Sequence, residues 1–131
     1  MRGVRLESVN LYADTRGELR AIEHGNPLDF LPARVFFIAN CPAKAVRACH
    51  AVSSRLALVA LTGSVRVEVD NGTEINMLAL NDPDRVLLLA PGIWLRLSEF
   101  QPVTRIMVLA SETFETVRYF DEPQPELMDL G

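Results

Sequence analysis

The chain has 131 residues, of which 49% are hydrophobic and 23% charged, with a formal net charge of −4; these are the proportions of one soluble globular domain spanning residues 1–131 around a single core. The acidic balance argues against a nucleic-acid partner, which would call for a basic face. No apolar run is long enough to span a membrane. The opening MRGVRLESVN lacks the apolar core of a secretory signal, so the cytoplasm is the expected compartment.

In chain order, the signals are those of short strands separated by turns. VRLESVNLYA (residues 4–13), GELRAIE (17–23) and ARVFFIA (33–39) read as extended, broken by DTRG and GNPLDFLP. Arg16 is expected to brace the DTRG turn by pairing with Asp14. Cys41 and Cys49 have no zinc-type spacing and read as free thiols of a reducing compartment. His50 stands just before the apolar run LALVAL. Gly63 then marks a sheet corner, and SVRVEVDNG alternates: Val65, Val67 and Val69 on one face, Arg66, Glu68 and Asp70 on the other. Asn71-Gly72 favours a hairpin turn, since both residues tolerate positive φ. TEINMLAL resumes the sheet until NDPD breaks it. RVLLLA (85–90) is a short apolar strand closed by the Pro91-Gly92 corner, IWLRLS (93–98) alternates again, and TRIMVLAS (104–111) is one more buried strand. PELMDL, near the C-terminus, is either one turn of helix or a tail. Strands recurring about every ten residues predict an antiparallel sandwich or barrel, whose mouth is a common ligand site.

Few residues carry chemistry. His24 and His50 are the two histidines and lie too far apart in sequence to build a cupin-type metal centre of two or three histidines and a carboxylate, so no metal is expected. Trp94 and Arg96 are two residues apart and share a strand face. Arg34 opens a strand, and Arg47 precedes His50 by three residues. Each has a plain alternative, a core histidine or tryptophan and solvated arginines. Residue types alone carry the reading no further than a small all-β domain.

The order of motifs adds to this. DTRGELRAIE, NPLDFLPARVFFI, VRACHAV, LTGSVRVEVDNG, LLLAPGIWLRLSEF and VLASETFETVRYFDE run from Asp14 to Glu122, and in that order they resemble the WxcM-like, or FdtA-type, family of cupin sugar isomerases. The resemblance implies a cupin fold (a double-stranded β-helix, or jelly roll), a homodimer, and 3,4-ketoisomerisation of a nucleotide-linked sugar of the dTDP-4-keto-6-deoxyglucose type, without metal or cofactor. It makes His50 the catalytic base and Arg34, Phe37, Arg47, Trp94 and Arg96 the substrate-binding residues. Several polar positions of the family pattern are altered: its second histidine falls on Val52, a tyrosine on Phe37, a histidine on Leu95 and a glycine on Ala48. An altered cupin that binds a nucleotide-linked sugar without isomerising it is therefore the alternative expectation.

Overall fold

The computed structural model describes residues 1–129. In chain order these form β1 (Val4–Ser8), β2 (Asn10–Asp14), β3 (Gly17–Ala21), β4 (Glu23–His24), β5 (Pro27–Leu28), β6 (Arg34–Ala39), β7 (Arg47–Val52), β8 (Leu56–Thr62), β9 (Val65–Asp70), β10 (Ile75–Leu80), β11 (Arg85–Leu89), β12 (Trp94–Ser98), β13 (Arg105–Ala110) and β14 (Tyr119–Phe120), followed by a single 3₁₀ turn, Pro125–Leu127. Two five-stranded sheets carry the fold. One has the order β1-β11-β8-β13-β6, the other β10-β9-β12-β7-β14. Every pairing within them is antiparallel. Stacked face to face, they make the jelly roll that the sequence implied. No helix among the described residues is long and apolar enough to cross a membrane.

Local sequence explains which sheet each strand joins. β9 alternates because one of its faces meets water: Val65, Val67 and Val69 are buried while Arg66 is exposed and pairs with Glu99. LALVAL and RVLLLA do not alternate, because their sheet is covered on both sides. On the inner side Leu58, Ala60, Leu87 and Leu89 join Val67, Leu97 and Phe100 in the main core. On the outer side Ala57, Val59, Val86 and Leu88 pack under Val9, Leu28 and Phe30 from the N-terminal segment. The stretch VRLESVNLYA divides at buried Val9: β1 pairs with β11 of its own chain, and β2 turns away to pair with β3.

The expected turns are present. Arg16 braces Asp14 with an ion pair at 2.6 Å. Buried Asn71 organises the β9–β10 turn, its side-chain oxygen accepting from the backbone N–H groups of Thr73 and Glu74 at 2.9 and 2.8 Å. Gly63 has φ +75°, and a Cβ there would lie 2.5 Å from the Thr104 Cα. Only glycine fits that corner.

Candidate functional site

A cavity of about 260 Å³ opens between the two sheets where β6, β7 and β14 border it. Its wall is mostly aliphatic and aromatic, including Phe36, Ile38, Val52, Leu58, Leu95 and Val108. Six polar side chains interrupt it: Arg34, Arg47, His50, Ser54, Glu112 and Tyr119. A few polar groups in an apolar concavity is the usual composition of a small-molecule site.

His50 lies within β7, just before the apolar strand β8, and pairs with Leu95 of β12. Its placement depends on an irregularity. Leu95 opposes His50 and the next residue, Arg96, opposes Ala48, so Cys49 is an extra residue in β7. This is a β-bulge, a device that re-aims side chains. Ala48 and Cys49 both carry left-handed φ values, 69° and 62°. Cys49 turns out to solvent while His50 turns inward. The imidazole Nδ1 is buried and has no hydrogen-bond partner among the described residues. Burial pushes the imidazole pKa below its ordinary value, an effect that contact with its own main chain partly offsets. The ring therefore favours the neutral form, which can accept a proton.

The Tyr119 ring stands edge-on to this imidazole, with ring centroids 5.0 Å apart and an interplanar angle of 77°. In the β14–β7 pairing Tyr119 faces Val52. Arg34 lies over the Phe36 ring, its guanidinium carbon 4.4 Å from the centroid, with Phe114 at 5.4 Å. Among the described residues neither Arg34 nor Arg47 pairs with a carboxylate, whereas Arg20, Arg55, Arg66 and Arg96 each do. Two uncompensated guanidinium groups at a cavity suit an anionic ligand, above all a phosphate, whose oxygens they can hold bidentately.

Of the six residues singled out from the sequence, His50, Arg34 and Arg47 meet at this cavity. Phe37 reaches only its edge. On β6 the inward residues are Arg34, Phe36 and Ile38, so strand alternation sends the Phe37 side chain outward, where it is 63% exposed. Trp94 and Arg96 do share a face, as expected, but it is the outer one. Leu95 and Leu97, between and beside them, take the cavity side. Arg96 instead lines an open cleft of about 460 Å³ on the outside of that sheet, 3.8 Å from Glu68. The cations there are largely answered by Glu68 and Glu99, which makes that cleft a poorer anion site despite its size. Ser54, Glu112 and Tyr119 had not been singled out. The only signal for Glu112 and Tyr119 was the tail VLASETFETVRYFDE, where a two-residue strand is too short to show periodicity, and Ser54 had none.

The FdtA family model, described as WxcM-like, C-terminal, matches residues 2–125. The chain belongs to this family. A TDP-4-oxo-6-deoxy-α-D-glucose-3,4-oxoisomerase of Aneurinibacillus thermoaerophilus is 34% identical over 107 residues, covering 81% of this chain and 77% of that protein. The sugar 3,4-ketoisomerase QdtA of Thermoanaerobacterium thermosaccharolyticum, solved in complex with TDP, superposes with a TM-score of 0.85 at 29% identity over 97% of this chain and 93% of its own. The TDP-quinovose 3,4-ketoisomerase WlaRB of Campylobacter jejuni shares the fold, with a TM-score of 0.88 at 24% identity over 93% of this chain and 95% of its own.

Proposed function

We propose that this FdtA-family chain is a TDP-sugar 3,4-ketoisomerase of deoxysugar biosynthesis, working as a homodimer of one-domain cupin subunits in the cytoplasm. The observation that carries the proposal is the partly buried His50 imidazole at a cavity bordered by two guanidinium groups, Arg34 and Arg47, that pair with no carboxylate among the described residues. Support for the substrate class comes from the Aneurinibacillus relative, named for TDP-4-oxo-6-deoxyglucose, and from QdtA, a variant of which was solved in complex with TDP-4-keto-6-deoxyglucose.

The chemistry asks only for proton transfers. His50 takes the proton from C3 of the 4-keto sugar. The C–H electron pair forms a C3=C4 bond, and the carbonyl π pair moves to O4, which is then protonated. Return of a proton to C4 and loss of the O3 proton leave the carbonyl at C3. A neutral, partly desolvated imidazole suits the first step. Arg34 and Arg47 hold the diphosphate and lower the cost of charge developing on oxygen.

Wild-type protein mixed with TDP-4-keto-6-deoxyglucose should give the 3-keto isomer by NMR. Arg34→Gln and Arg47→Gln should each weaken the rise in melting temperature caused by TDP; at a hundred times Kd a ligand stabilises the folded state by about 2.7 kcal/mol. A second reading, a sugar-binding cupin without turnover, is favoured by one residue. Val52 occupies the place of the family's second histidine and exchanges no proton. TDP binding without product formation would decide for it.

A further inference from the structure

We propose that the Tyr119 hydroxyl is the second proton-transfer group of this site, relaying the proton between O3 and O4 in place of the histidine that Val52 replaces. The inference rests on the isomerase reading above. It is reached by taking the polar groups of the cavity in turn. Arg34 and Arg47 stay protonated and cannot exchange a proton. His50 is occupied as the base at carbon. Ser54 has its oxygen fully engaged: it donates to the Arg55 carbonyl at 2.8 Å and accepts from the Ser111 and Glu112 backbone N–H groups at 3.0 and 3.2 Å. The Glu112 carboxylate is engaged by the Ser53 hydroxyl at 2.5 Å.

Tyr119 differs from all of these. Its hydroxyl makes no hydrogen bond among the described residues, and a phenol both donates and accepts. Its backbone faces Val52 in the β14–β7 register, so its side chain rises beside the vacated position on the same sheet face. Its ring touches the imidazole edge-on at 5.0 Å. The relay balances: the phenol O–H proton goes to O4 as the C4 carbonyl becomes an enol oxygen, and the phenolate then takes the O3 proton as the C3 carbonyl forms. The residue ends as it began. A phenol and an enediol are of comparable acidity, so neither transfer runs steeply uphill.

Tyr119→Phe tests this with little risk to folding, because it removes one unbonded hydroxyl from a half-exposed side chain. Two rates are read by NMR in D₂O with TDP-4-keto-6-deoxyglucose: release of 3-keto product and deuterium uptake at C3. The expected result is product formation slowed by about 10²-fold or more, with C3 exchange, which His50 drives, slowed clearly less. Product formation within about twofold of wild type overturns the proposal, and so does an equal fall in both rates, which marks a positioning role. Wild-type protein that binds TDP yet makes no product overturns the isomerase reading and this proposal with it. Wild-type turnover with an indifferent Tyr119→Phe overturns this proposal alone.

Discussion

At residue scale, His50 combines three conditions that seldom coincide: a buried nitrogen with no partner, an environment that disfavours its charged form, and a cavity beside it. The pH dependence follows from the second. In the unfolded chain this imidazole binds a proton at an ordinary value of about 6.5, whereas in the folded chain it does so only at lower pH. Stability is therefore undiminished above the unfolded value and declines as pH falls through it toward the folded value, since the unfolded state then holds more protons. For the reaction, the acid limb of kcat/KM should lie below pH 6.5, because the free enzyme's base stays neutral until then. A limb at or above pH 7 would show an imidazole stabilised in its charged form.

At the scale of elements, the bulge in β7 is the feature on which the site turns. Ala48 sits at φ 69°, a region that costs a residue with a Cβ about 1–2 kcal/mol. Ala48→Gly should relieve this and raise the melting temperature by roughly 4 °C, read by calorimetry; a lower Tm would mean that the alanine methyl contributes more by packing. The bulge also explains what the sequence could and could not convey. Periodicity located the strands well, from SVRVEVDNG to IWLRLS, because buried and solvated faces alternate there. It correctly put Trp94 and Arg96 on one face but carried no information on which face points inward. That is decided by Leu95 and Leu97, whose apolar side chains take the core side. Phe37 turns outward for the same reason, its neighbours Phe36 and Ile38 claiming the interior. Tyr119 was missed because long-range pairing of a two-residue strand, not local pattern, brings it to His50.

The whole molecule presents one further surface. β6 is the free edge of its sheet, and on its outer side Val35 and Phe37 are 52% and 63% exposed. They are paired across to Leu109 and Met107 of β13, forming one apolar strip. An unpaired strand edge beside such a strip invites another chain, and the proposed homodimer would cover it. Phe30 packs in the outer core and Phe36 lines the cavity. Phe37→Asp should convert the dimer to monomer in light scattering while leaving secondary structure intact. A wild-type protein already monomeric at micromolar concentration would refute the dimer.

All of this depends on the imidazole at the bottom of the bulge reaching the sugar. The most direct measurement is hydrogen exchange at C3 of TDP-4-keto-6-deoxyglucose in D₂O, followed by NMR with wild type and His50→Gln. Rapid exchange with the wild type, falling by about 10²–10⁴-fold in the variant, is the expected result. Equal exchange with both proteins would contradict it.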